Sequence, residues 1–265
     1  VPWWRRMRTT VIGVIVASVT AAGAALATAV VNQIVPPPAV PATPEPTPAP
    51  GSGFQAAVAT IPDCGQVYAL DRVVDPRTGA APLLALDGSS APAFDDFLAR
   101  EKASPVGRIT VEMVFTGLFP SPTRILGVRV DGLRQGPNSA GTSMTTACEG
   151  DSSTRAVTLD MDTAPRSLRQ AGRPYFDGHD LDVSIVDRET LRITVTARRH
   201  GYSWFFAIDH IDGAGKQVTD YLDVHGTLHG ERHEVREDGR FRITGTAGTY
   251  GASYVEDGAR FRLSS

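Results

Sequence analysis

Alternation of apolar and polar side chains, the mark of a strand with one buried face, recurs along the chain after Arg108. Ile109, Val111, Met113 and Phe115 share one face of RITVEMVF, and Leu126, Val128 and Val130 share one face of RILGVRV. Val157, Leu159 and Met161 do so in TRAVTLDMD, Leu191, Ile193, Val195 and Ala197 in LRITVTARR, and Tyr202, Trp204, Phe206 and Ile208 in YSWFFAID. Six Asp-Gly pairs, at Asp87, Asp131, Asp177, Asp212, Asp238 and Asp257, fall mostly between these runs and readily supply the positive φ of tight turns. The last two bracket an expected closing hairpin, RFRITGT to ARFRL. One short helix is predicted before Pro105, with Ser90 as cap, Pro92 in the first turn, and Phe94, Phe97 and Leu98 at helical spacing. With no fixed repeat and no second linker, residues 54–265 are expected to form a mainly β domain: one antiparallel β-sandwich with one short helix.

The amino-terminal part has a different pattern. No charged residue occurs from Thr9 to Val35, and Val11 to Val31 is long enough to cross about 30 Å of hydrocarbon as a helix. Arg5, Arg6 and Arg8 precede it without an acidic residue, and Trp3 and Trp4 suit the headgroup region. This predicts a cytoplasmic tip over 1–8, a single-pass transmembrane helix over 9–35 that uses the lipid bilayer as its partner, and an extracellular remainder. The alternative is a cleaved signal peptide, since Ala-x-Ala occurs at Ala25 to Ala27 and at Ala27 to Ala29. Apolar residues continuing through Val30, Val31, Ile34 and Val35 favour the anchor. Small residues at Gly13, Ala17, Ala21, Ala25 and Ala29 form a ridge suited to a weak homodimer through this span. Residues 36–53 read as a linker: eight prolines in the fifteen residues from Pro36 to Pro50 impose extended polyproline geometry reaching roughly 45 Å at ~3.1 Å per residue, followed by Gly51, Ser52 and Gly53 as a joint.

Charge narrows the function classes. The chain carries 26 basic and 29 acidic residues, and removing Arg5, Arg6, Arg8 and Glu45 leaves the part from Phe54 onward more acidic still, so no nucleic-acid footprint is present. The two cysteines, Cys64 and Cys148, lie beyond the apolar span, where an oxidising exterior predicts a disulfide.

Candidate chemistry is sparse. His225, His229 and His233 in DVHGTLHGERHE, with Asp223, Glu231 and Glu234 nearby, are the donor types that hold zinc or a similar ion. Gly226 and Gly230 argue against the helix that would align them, and on a strand a four-residue step separates them by about 13 Å. His179-Asp180-Leu181-Asp182 and Asp209-His210-Ile211-Asp212 could pair an imidazole with a carboxylate for acid–base work, yet each sits beside a turn glycine where Asp serves the backbone. Neither Gly-x-Ser-x-Gly nor Ser-x-x-Lys occurs. In the aromatic run Trp204-Phe205-Phe206, alternation sends Trp204 and Phe206 inward and leaves Phe205 as the candidate for an exposed binding patch. No catalytic residue or cofactor is assigned. The expected function is a non-catalytic binding or interaction module facing an envelope protein or cell-wall partner; the alternative is an exported metal-assisted hydrolase using the three histidines.

The segments FDDFLARE, RITVEMVFTG, ILGVRVDGLR, the Cys148-Glu149-Gly150 turn, AVTLDMD, ETLRITVTARR, YSWFFAIDHIDG and EDGRFRITGTA occur in an order that resembles membrane-anchored exported proteins of actinobacteria, of the streptomycete type and of unknown function. Lysine only at Lys102 and Lys216 and asparagine only at Asn32 and Asn138 fit a GC-rich genome of that kind. The resemblance covers roughly residues 90–247. It implies an anchored, exported domain and brings no activity with it.

Overall fold

Each alternating run becomes a strand because one row of its side chains has a core to enter. The computed structural model describes residues 52–75, 77, 81–89, 92–148, 157–258 and 260–264. The expected transmembrane span, the linker up to Gly51, the Ser90 cap and Glu149-Gly150 lie outside the described residues. Among the described residues no helix is long and apolar enough to cross a membrane.

In chain order the elements begin with β1 (Phe54–Ile61), β2 (Val67–Leu70), α1 (Ala81–Leu84), α2 (Pro92–Glu101), β3 (Ser104–Pro105), β4 (Arg108–Gly117) and β5 (Thr123–Gly136). There follow β6 (Thr142–Thr145), β7 (Val157–Asp160), β8 (Arg169–Gln170), β9 (Arg173–Pro174), β10 (Leu181–Val183), β11 (Arg188–Thr196) and β12 (Gly201–Ile211). The chain continues through β13 (Gln217–Leu222), β14 (Leu228–His229), a 3-10 turn at Arg232–Glu234, β15 (Phe241–Ile243), β16 (Ala252–Asp257) and β17 (Arg260–Leu263).

Three sheets result. The first has the order β1-β4-β11-β7-β8-β9, the second β10-β5-β12-β13-β14 with β15 also on β12, and the third β17-β16-β6-β2-β3. The first two share one core, in which Met113, Phe115, Leu191 and Ile193 join Ile125, Trp204, Phe206 and Ile208. This is the expected sandwich, mainly β, and the inner faces of β4, β7, β11 and β12 are those the alternation names. The third sheet has a separate, smaller core of Tyr68, Leu70, Phe94, Phe97, Met144, Tyr254 and Phe261 among others, closed by α2. Phe94 stacks on Phe261 at 5.3 Å and meets Tyr68 edge-on at 5.7 Å, so the helix covers this sheet rather than the sandwich.

Four expectations need correction. The sheets are not purely antiparallel, since β11 pairs with β7 and β16 with β6 in parallel. The closing hairpin is β16–β17 around Asp257-Gly258, whereas RFRIT pairs with β12 in the sandwich. On β5 Val128 is buried as expected, but its buried companion is Ile125, not Leu126: opposite β12 the register passes from Gly127 directly to Ile125, and this bulge puts Leu126 out of phase. Ser52 and Gly53 belong to the fold and are not a free joint. Both are buried, and the Gly53 carbonyl accepts from the Leu118 amide at 2.9 Å and the Thr123 hydroxyl at 3.1 Å.

Candidate functional site

Between the two cores lies a cleft of about 980 Å³. Its sandwich side is built from Ile109 and Val111 on β4, Trp204 on β12 and Phe241 on β15; its other side is α2, through Phe94, Leu98 and Ala99, with Ala103 just beyond. The floor is apolar because β4 and α2 each turn the flank of a buried row toward it. Cys64, Thr146 and Ala147 border the mouth, with Lys102, His225, Asp238 and Arg242. Cys64 and Cys148 are disulfide-bonded, with Cα atoms 4.5 Å apart, so the chain leaving β1 is tied to the chain leaving β6 beside the cleft.

Polar groups around the cleft are engaged structurally. Arg240 is buried, donates from Nη1 to the Gly132 carbonyl at 2.6 Å, and lays its guanidinium 5.2 Å from the Phe205 ring centre. Burial lowers its pKa, as do Arg134, Arg242 and Arg232, against the opposing effect of Glu237. The Tyr68 phenol is pushed up to about 12 by burial and by Asp95, so it stays protonated. The Trp204 indole Nε1 is buried without a hydrogen-bond partner.

Glu256 is the clamp behind the mouth. Its Oε1 accepts from the Ser89 amide at 2.7 Å, and its Oε2 accepts from the Ser89 hydroxyl at 2.6 Å and the Ala147 amide at 2.7 Å. Burial alone would raise this carboxyl; these hydrogen bonds outweigh it and hold the group below its usual range. A depressed folded pKa stabilises above the unfolded value, about 4.3 for Glu, and that stabilisation is lost as pH falls through the folded value. Glu256→Ala is expected to cost about 1–3 kcal/mol at pH 7, from losing hydrogen bonds to a charged acceptor. Urea unfolding at pH 7 and again at pH ~3 checks this: the gap between wild type and variant should shrink in acid. An equal gap at both values would remove the charge from the account.

The histidine cluster does not converge. Gly226, at φ +83°, turns the chain between β13 and β14, leaving His225 at the rim of the cleft and His229 on the return strand. His229 Nε2 lies 3.0 Å from Asp223 Oδ2, while His233, in the 3-10 turn, lies 3.1 Å from Glu231. Among the described residues no group of three His, Cys, Asp or Glu side chains is placed to hold a metal ion. The two His-Asp strings also stay apart: His179 stacks on Tyr175 at 5.5 Å, and His210 is buried against Phe54, with Nε2 2.9 Å from Asp220. Asp212 caps its own turn, accepting from the Ala214 and Lys216 amides at 2.9 Å. Phe205 is 2 % exposed, beneath Arg240 and edge-on to Tyr221, so no binding patch forms there. Trp204 and Phe206 are inward as expected, and Trp204 also backs the cleft.

Sequence reasoning missed the cleft, because its walls come from strands and a helix far apart in the chain, and it missed Glu256, which reads only as a charged residue before a turn. Compared with family models, curated proteins and solved structures, the chain matches none.

Proposed function

We propose that this protein is a membrane-anchored extracytoplasmic binding module that holds an amphiphilic small molecule in the cleft between α2 and the sandwich, without catalysis. The observation that carries the reading is the cleft itself: about 980 Å³, at the upper end of small-molecule sites, apolar in depth and charged at its mouth. An apolar body would rest against Leu98, Ala103 and Val224, with a polar head near Lys102, His225 and Arg242. The Thr146 hydroxyl donates to the Gln66 carbonyl at 3.1 Å, while the Ser89 hydroxyl donates to Glu256, a carboxylate that two backbone amides also engage and hold below its usual range, which makes it a poor proton acceptor for a nucleophile. The uncharged run Val11 to Val31 behind three arginines supports the anchor, and the disulfide suits an oxidising exterior. The order of sequence segments from FDDFLARE to EDGRFRITGTA, which resembles that of anchored exported actinobacterial proteins, is in keeping with this placement.

The test uses residues 46–265, which form a compact unit of their own, and a fatty acid carrying a dansyl group. Saturable one-to-one binding with blue-shifted emission is expected. Leu98→Glu places a charge on the apolar wall while keeping a good helix former in α2. It should weaken binding at least about tenfold, equivalent to about 1.4 kcal/mol, with an unchanged far-UV spectrum. If the probe binds Leu98→Glu as well as wild type, or does not saturate, the cleft is not the site.

A further inference from the structure

Where the chain enters β1, three large apolar side chains stand in solvent: Phe119, 56 % exposed, Ile185, 54 %, and Val186, 80 %. Phe119 belongs to the connection from β4 to β5, and the other two to the turn from β10 to β11. These loops are held together, since the Ile185 amide donates to the Phe119 carbonyl at 3.0 Å. The turn is internally fixed as well. The Ser184 hydroxyl accepts from the Val186 and Asp187 amides at 3.3 and 3.1 Å and lies 3.0 Å from Asp187 Oδ2, while the Ser184 amide donates to the Asp187 carbonyl at 3.0 Å. Gly117 permits the close approach, because a Cβ there would stand 2.5 Å from the Ser184 Cα. A rigid frame thus presents apolar groups outward, a feature that marks an interaction surface rather than a loop tip.

The occupant follows from where the chain leaves. The Leu118 amide donates to the Gly53 carbonyl at 2.9 Å, so Ser52 and Gly53, which in sequence follow the proline-rich stretch and the apolar run Val11 to Val31, stand beside Phe119. We propose that Phe119, Ile185 and Val186 seat this end of the sandwich on the interface of the bilayer in which the chain is anchored, a proposal that rests on the anchored reading above. Upright, the proline-rich segment would hold the domain roughly 45 Å away; seating requires it to lie along the surface. Charges at this end are mixed. Asp187 and Arg188 flank the turn, and the strand register through Ile125 brings Asp212 and Lys216 to the same end. The contact therefore depends on apolar burial and not on lipid charge.

The test uses the full chain in vesicles of neutral phosphatidylcholine, with the native disulfide intact and a polarity-sensitive fluorophore on V186C. T246C is the control, exposed at the opposite end of β12 beyond β15. Blue-shifted emission at position 186, quenched severalfold more strongly by brominated lipid than at 246 and unchanged by salt, is the expected result; Phe119→Ser with Ile185→Ser in the V186C background should abolish it. A chain that floats with the vesicles while both probes stay equally wet overturns this contact and leaves the anchor standing. A chain that does not float overturns the anchored reading and the contact with it. Blue-shifted emission at 186 without lipid quenching assigns the patch to a second copy or another protein and overturns the bilayer as occupant.

Discussion

Trp204→Ala is expected to cost about 3–5 kcal/mol of folding stability, the range for emptying a buried large aromatic site. Trp204 has no exposed surface, stacks on Phe241 at 5.6 Å and meets Phe206 edge-on at 6.1 Å. The rings around the void sit on paired strands, which leaves little room for collapse. The void would also open beneath the cleft, since Trp204 backs it, so dansyl fatty acid binding should change together with stability. Trp204→Phe is the informative companion. Because the indole Nε1 has no partner, phenylalanine loses no hydrogen bond and removes an unsatisfied donor. Its cost should be well below that of alanine, reflecting volume alone. Urea denaturation followed by far-UV circular dichroism checks both, and equal costs for the two variants would show that the indole nitrogen itself carries a stabilising contact.

Breaking the Cys64–Cys148 bond, by Cys64→Ser with Cys148→Ser or by a phosphine reductant, is expected to cost about 2–5 kcal/mol. The bond closes a loop spanning 84 positions, for which the chain-entropy relation gives roughly 4–5 kcal/mol. It also has a local effect. Cys64 stands just before β2 and Cys148 just after β6, opposite each other in the antiparallel register of these strands, so the bond closes the end of the β2–β6 pair beside the mouth of the cleft. Ligand affinity is therefore expected to fall under conditions where the unreduced protein remains folded. Thermal melts with and without reductant, paired with probe titrations, measure the two effects separately; an unchanged melting midpoint would dismiss the bond as a brace.

The sandwich was legible because its information is local. Ile109, Val111, Met113 and Phe115 lie two apart, and a half-buried strand leaves no other use for that spacing. The failures came where a residue's partner lies far along the chain. None of the alternating runs covers Thr142–Thr145, yet it forms β6, buried because β2 and β16 flank it. Leu126 was misplaced by a single bulge, which depends on how β12 sits opposite and leaves no trace in RILGVRV. Alternation also describes only one face, and Phe205 is covered on the other by Arg240, a residue 35 positions later. The histidines illustrate the converse: their regular spacing suggested a site, but the turn at Gly226 and the 3-10 turn at Arg232–Glu234 break the regularity before it can become proximity. The cleft is the extreme case, a property of the space between two cores and of no segment in particular.

The parallel ladder in which Ala252 faces Thr142 and Val255 faces Thr145 bears on the order of assembly. β2, β3 and β6 can meet early during synthesis, but their sheet acquires β16 and β17, and its core acquires Tyr254 and Phe261, only after more than a hundred further residues have been made. Premature release near residue 250 would therefore yield a chain able to close its sandwich while leaving α2 without the aromatic layer it covers, a species recognisable by dye binding and by rapid proteolysis at the helix.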